Sequence, residues 1–305
     1  MISKRYVIII FIIIGLSVLL YMVFQQPSKT STVDSDELME QEEVETVETE
    51  EVEEEEATEV TVQENPIREF FSDQIKKATE LFFTRDLHIV TLGDSLTEGV
   101  GDELNEGGYV GIIEENLDEN QYDIDIQNFG KRGRRTTHLL DVLEKEEVIT
   151  AVEEADIVLI TIGANDIMQV FKENFTKLTL EVFNKEQIAY EKRLHEIFTK
   201  IRIINEDADI YLIGFYNPFQ QYFSYIEELD VIVDNWNKVG RQVASQYENA
   251  DYIPIKDLFE NHSMELFAED HFHPNHLGYK LIANRVLQYI VNEGENYGEA
   301  ESAIE

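Results

Sequence analysis

The rhythm of hydrophobic and polar positions changes twice along this 305-residue chain. Tyr6–Phe24 is an unbroken run of 19 uncharged residues, mostly Ile, Val, Leu and Phe. Over residues 25–65, Val and Thr are scattered among glutamates at no helical or heptad period. From about residue 66 the pattern becomes that of a folded domain. Ile67, Phe70, Phe71, Ile75, Ala78, Leu81 and Phe82 recur at helical spacing and predict an amphipathic opening helix. Short apolar runs at Leu87–Leu92, Ile124–Gln127, Ile157–Ile162, Ile210–Ile213 and Tyr252–Ile255 then predict five strands. Between them, Thr137–Ala155, Glu186–Ile204 and Tyr225–Tyr247 read as helices, and Leu277–Val291 closes the domain. Strands separated by helices need crossover connections, so the expected fold is α/β, a five-stranded parallel sheet with helices on both faces. Only the second strand alternates, with Asp123 and Asp125 around Ile124 and Ile126, which places it at an edge.

Charge sharpens these boundaries. Residues 1–33 carry three cations and no acid, whereas Asp34–Glu64 carry sixteen acids and no cation. The chain total is -39, which leaves -26 on the remainder. Residues 1–24 are expected to form a membrane anchor, because the apolar run reaches about 28 Å as a helix. Lys4 and Arg5 precede it and no cation follows until Lys29, which keeps the N-terminus cytoplasmic and the rest of a single-pass chain outside the cell membrane. A cleaved signal peptide is the alternative, against which stands the lack of a small-x-small site over Met22–Ser28. Residues 25–65 read as an acidic disordered linker, too poor in apolar surface to offset its ordering entropy. Residues 66–295 form the α/β domain and 296–305 an acidic disordered tail. The acidic balance argues against a nucleic-acid partner. With no Cys, disulfides, thiolate metal sites and a cysteine nucleophile are excluded.

Four polar, glycine-bearing or histidine-bearing segments follow strands: Gly93–Gly99, Asn128–Gly133, Gly163–Asp166 and Asp270–Pro274. In open parallel sheets, sites form beyond the carboxyl ends of strands, so all four can converge on one crevice. A serine hydroxyl becomes a good nucleophile when an imidazole takes its proton and a carboxylate fixes the imidazole tautomer. Ser95, His273 and Asp270 supply that set. An oxyanion needs preorganised donors, for which the Ser95 amide, Gly133 and Asn165 are candidates. Gly130 is expected to supply a positive φ. Lys131, Arg132, Arg134 and Arg135 put four cations within five residues beside Gly133. Arg132, Arg134 and Arg135 are therefore candidate contacts to an anionic substrate. The alternative is that they pair with acids such as Asp141 or Glu144. The aromatic stretch Phe215–Tyr225 could line an acyl pocket or simply pack.

These blocks resemble those of GDSL-type esterases and lipases of the SGNH hydrolase family. Ser95 stands in the GDS block, Gly133 in the second block, Asn165 in the GxND block, and Asp270 with His273 in the DxxHP block. They occur in family order over about residues 87–292. The resemblance implies a flavodoxin-like three-layer fold and hydrolysis of acyl or acetyl esters, lipase- or lysophospholipase-like, with no metal or other cofactor. The arginines flanking Gly133 depart from the usual second block, so substrate choice does not carry over. Other readings are an O-acetyl esterase on wall polysaccharide, a non-catalytic surface binding protein, and a metal-dependent hydrolase built on His271, His273 and His276.

Overall fold

Five strands form one parallel sheet: β1 (Leu87–Gly93), β2 (Ile124–Gly130), β3 (Ile157–Thr161), β4 (Asp209–Ile213) and β5 (Ala250–Ile253). Their order is β2-β1-β3-β4-β5, so the alternating strand does lie at an edge. Asp125 projects to solvent there, while every residue of β3 is buried. β3 reads as a continuous apolar run because both its faces are covered. Val90, Leu92, Val158, Ile160, Ile210 and Leu212 belong to one core cluster, and Ile89, Ile157, Leu159, Tyr211 and Ile213 to the other. One side chain up and the next down gives the three-layer fold. The structure, a computed structural model, describes residues 87–119, 124–174, 179–219, 226–260 and 264–302. The anchor, the linker and the opening helix at 67–82 lie outside these residues. Among the described residues, no helix is long and apolar enough to cross a membrane.

The helices are α1 (Ser95–Glu98), α2 (Gly108–Glu119), α3 (Thr136–Val142), α4 (Glu146–Glu154), α5 (Ala164–Asn174), α6 (Leu180–Ile204), α7 (Glu227–Ala244), α8 (Lys256–Phe259) and α9 (His276–Ser302). Residues 137–155, expected as one helix, form two. Lys145 adopts an extended backbone and caps α4, whose first turn carries Glu146 and Glu147 where the helix dipole favours acids. The apolar pattern runs through the break because Leu143 and Val148, on either side of it, are both buried. Helices α1, α2 and α5 were not expected, since each begins in a glycine-rich segment that reads as a loop. The last helix extends to Ser302, past its expected end at Val291 and into the segment read as a tail. Its extra residues include no proline to stop it.

Candidate active site

The site residues gather where β1, β2 and β3 end. After Gly93 the chain turns into the single-turn helix α1, whose N-cap is Asp94. Asp94 Oδ1 accepts from the Leu96 amide at 3.1 Å and from Thr161 Oγ1 at 3.1 Å. Ser95 therefore opens α1 from a fixed corner, 6% exposed. Its carbonyl accepts from the Val100 amide at 3.0 Å, and Gly99 ends α1 in a left-handed conformation. Burial pushes the Asp94 carboxyl up to about 6, against the lowering effects of the Leu96 amide, the Thr161 hydroxyl and the nearby His273 charge.

The loop before α9 presents His273, which is also buried. Its Nδ1 lies 2.6 Å from Asp270 Oδ2, while Asp270 Oδ1 accepts the amides of Phe272 at 3.0 Å and His273 at 2.9 Å. Burial alone would raise the Asp270 carboxyl. The His273 hydrogen bond and charge, with the two amides, outweigh it and bring it down to about 2. Asp270 is therefore an anion placed to accept an Nδ1–H from His273. Tyr216 Oη donates to the Phe272 carbonyl at 2.7 Å and braces this loop from the end of β4. The segment after α1 packs directly on the histidine. A Cβ on Gly101 would come within 2.6 Å of the Pro274 carbonyl oxygen and 2.8 Å of His273 Cβ, so only glycine fits. Among the described residues, Ser95 Oγ makes no hydrogen bond to the His273 ring.

The proposed oxyanion donors flank the same corner. Asn165 Nδ2 donates to the Arg134 carbonyl at 3.1 Å and lies 3.4 Å from Asp94 Oδ2. Gly133 is exposed, with φ +76, a left-handed backbone that glycine adopts without strain. Gly130 has no positive φ, contrary to the expectation. It is needed instead for close approach, since a Cβ there would lie 2.4 Å from the Glu98 amide nitrogen.

The basic loop divides. Lys131 and Arg132 are exposed, and Arg135 is half-buried. Arg134 is buried, and its guanidinium donates to the carbonyls of Gly93, at 3.1 Å, and Phe129. It is spent on joining the ends of β1 and β2, which corrects its assignment to an anionic substrate. A run of four cations gives no sign of which one turns inward. The histidine run also divides. His276 Nδ1 lies 3.2 Å from Asp102 Oδ1 and 3.3 Å from Glu106 Oε2, away from the Asp270–His273 pair. Among the described residues, no group of three His, Asp or Glu side chains, this one included, is arranged to hold a metal ion. In the aromatic stretch, Phe215, Tyr216 and Phe219 are buried, whereas 220–225 lies outside the described residues.

Sequence reasoning missed three residues that hold this arrangement: Asp94, Tyr216 and Arg193, whose guanidinium donates to Thr136 Oγ1 and to Asp166 Oδ1. Asp94 was legible as an N-cap beside the serine. Tyr216 and Arg193 act across long sequence separations and left no local signal.

Residues 91–281 match the GDSL-like lipase/acylhydrolase family. The chain is 37% identical over 227 residues to the uncharacterized protein YpmR of Bacillus subtilis strain 168, covering 73% of this chain and 89% of that protein. It is 28% identical over 208 residues to the spore germination lipase LipC of Bacillus licheniformis, covering 66% and 94%. Among solved structures, the lipase Lip_vut3 from a goat rumen metagenome superposes with a TM-score of 0.59 at 27% identity, over 67% of this chain and 97% of that one. The acetylxylan esterase Axe2 of Geobacillus stearothermophilus gives 0.52 at 20% identity over 66% and 93%, a likeness of fold. With its four blocks gathered at one end of a parallel sheet, the chain belongs to the GDSL-like lipase/acylhydrolase family and is a hydrolase of that type.

Proposed function

We propose that the chain is a membrane-tethered, extracytoplasmic serine ester hydrolase acting on acyl or acetyl esters. The observation that carries this reading is the Asp270–His273 pair, held by two amides and set against the segment that follows Ser95. In the proposed cycle, substrate binding closes the Ser95–His273 hydrogen bond. Apo sites are often looser at this contact than Michaelis complexes. Ser95 Oγ then attacks the ester carbonyl carbon while its proton passes to His273 Nε2. The carbonyl oxygen becomes an oxyanion, stabilised by the Ser95 and Gly133 amides and by Asn165 Nδ2, which turns from the Arg134 carbonyl to meet it. Collapse breaks the ester C–O bond and His273 returns the proton to the leaving alkoxide. A water molecule, deprotonated by His273, next attacks the acyl-serine carbonyl; the acyl–Oγ bond breaks, the acid leaves, and His273 returns the proton to Ser95 Oγ. The relative LipC is named a lipase, which supports an acyl ester. The exposed cations Lys131 and Arg132, beside Gly133, support an anionic one.

The test uses the full-length chain in mild detergent and a panel of p-nitrophenyl esters from acetate to palmitate. Ser95→Ala should lower kcat by about a thousandfold or more, with unchanged circular dichroism. A serine-directed phosphonate should abolish activity and EDTA should leave it intact. Full activity in Ser95→Ala would end the mechanism. Tethering rests on the uncharged run Tyr6–Phe24 behind Lys4 and Arg5. In wall-less cells, external protease should release the domain by cutting within residues 25–65. A chain protected inside such cells would refute that topology.

A further inference from the structure

Asp166 is an acidic side chain buried beside Asn165, with 3% of it exposed; burial raises its carboxyl above the usual range, against the lowering effects of the Thr136 donors and Arg193. Its Oδ2 accepts the Thr136 amide at 3.0 Å and its Oδ1 accepts the Thr136 hydroxyl at 2.6 Å. From α6, Arg193 completes the cluster. Its Nε donates to Thr136 Oγ1 at 2.5 Å, and its Nη2 to Asp166 Oδ1 at 3.1 Å and Glu186 Oε1 at 2.6 Å. Thr136 is fully buried and lies three residues beyond Gly133, while Asp166 follows Asn165 directly. The cluster therefore ties the end of the glycine loop to the start of α5. The space over Gly133 is open, since a Cβ placed on it would meet nothing within 4 Å. Its position relative to Asn165 is set by what holds its neighbours.

We propose that Arg193 is a positioning residue for ester hydrolysis: through Asp166 and Thr136 it fixes the Gly133 loop against Asn165 and so sets the geometry of the oxyanion hole. The inference rests on the reading that Gly133 and Asn165 hold the oxyanion. Removing Arg193 leaves a buried carboxyl with the Thr136 donors but no opposite charge, and takes away the donor that ties the Thr136 hydroxyl to α6. A donor displaced by about 1 Å costs on the order of a hundredfold in rate while ground-state binding is little changed.

The experiment measures kcat per active site, titrated with the phosphonate, together with KM for p-nitrophenyl butyrate and Ki for an alkyl boronic acid that forms a tetrahedral serine adduct. Variants of the full-length chain are Arg193→Gln, Thr136→Val, Thr136→Ser, Asn165→Ala and the double variant Arg193→Gln/Asn165→Ala. Arg193→Gln and Thr136→Val should each lower kcat per site by about ten- to a hundredfold, keep KM within about twofold, and weaken boronate binding in step. Thr136→Ser, which keeps hydroxyl and amide, should restore near-normal kcat. In the Asn165→Ala background, Arg193→Gln should cost several-fold less than in the wild type, because one of the two donors it holds in register is gone. A merely structural Arg193 would lower the titratable fraction and the melting temperature, leave kcat per site unchanged, and act equally in both backgrounds; that result overturns the proposal. Should Arg193→Gln fail to fold, Thr136→Val and Thr136→Ser decide the question alone. If Asn165→Ala itself keeps full kcat and boronate affinity, the oxyanion reading fails and this proposal falls with it. If only the Arg193 and Thr136 variants behave as wild type, this proposal fails and the oxyanion reading stands.

Discussion

Asp270→Asn tests the proposed mechanism through the placement of one proton. The asparagine keeps an oxygen where Oδ1 accepts the amides of Phe272 and His273, so the loop should hold its shape. Where Oδ2 sits 2.6 Å from His273 Nδ1, it presents an N–H instead. His273 Nδ1 must then accept, which moves the ring proton to Nε2, the atom assigned to take the Ser95 proton. In serine proteases the same exchange costs about four orders of magnitude in kcat with the geometry preserved, and a similar loss is expected here. The stability cost is small by comparison. The Asp270 carboxyl is held at about 2 rather than 3.8, a difference worth about 1–2 kcal/mol once partial exposure to solvent is discounted. Because the pKa is lowered, that contribution is complete above about pH 4 and is lost as pH falls through about 2. Urea titrations should therefore separate wild type and variant by that amount at pH 7 and bring them together near pH 2. A domain with roughly 5–15 kcal/mol of stability stays folded after such a loss, so unfolding cannot imitate the kinetic effect. A variant retaining more than a tenth of wild-type kcat at pH 7 would refute the role of Asp270 in setting the tautomer.

Asn165→Ala should lower kcat by about a hundred- to a thousandfold as the loss of one oxyanion donor, read as initial rates on p-nitrophenyl butyrate. Arg134→Gln should destabilise the fold by about 2–4 kcal/mol, because it strips donors from a buried carbonyl pair; urea midpoints check this. Arg132→Gln should leave stability unchanged and raise KM several-fold for an anionic ester but not a neutral one, with added salt acting on wild type in the same direction. Asp94 gives a pH signature of opposite sign to Asp270. Its folded pKa is raised to about 6 from 3.8, so its contribution is most favourable below about pH 4 and is lost as pH rises through about 6, a swing on the order of 3 kcal/mol. The stability difference between wild type and Asp94→Asn, followed by urea titration from pH 4 to pH 7, should change in that sense, and a flat difference would contradict it.

The sheet was legible because a strand buried on both faces leaves an apolar run, as Ile157–Thr161 does, and an edge strand leaves alternation, as Ile124–Gln127 does. Site residues were legible where their neighbours are local. Asp270 and His273 are three residues apart and bond directly, whereas Asp94 was missed although it caps the helix that Ser95 begins. Helix boundaries were less so. The break at Leu143–Lys145 is invisible to periodicity because the apolar positions on both sides face the same core. Helices α2 and α5 begin in glycine-bearing segments, whose composition looks like loop whatever follows.

What stayed hidden is the partner of each charge. Arg134 sits among three other cations of one loop, yet its guanidinium alone turns inward to carbonyls at the ends of β1 and β2. That choice depends on β1 and β2 lying side by side, a pairing that joins residues 37 apart, such as Gly93 and Gly130. Arg193 shows the same dependence over a longer reach. In its own helix it is an ordinary cation seven residues after Glu186, and only the folded chain brings Thr136 and Asp166 to it. A local pattern specifies which face of an element is buried, because burial follows from the period alone. Which charged side chain meets which buried partner follows from strand order, and strand order is set by contacts between segments that no local window contains. The chemistry of the blocks can thus be read from short strings, while the supports that fix their distances are properties of the sheet.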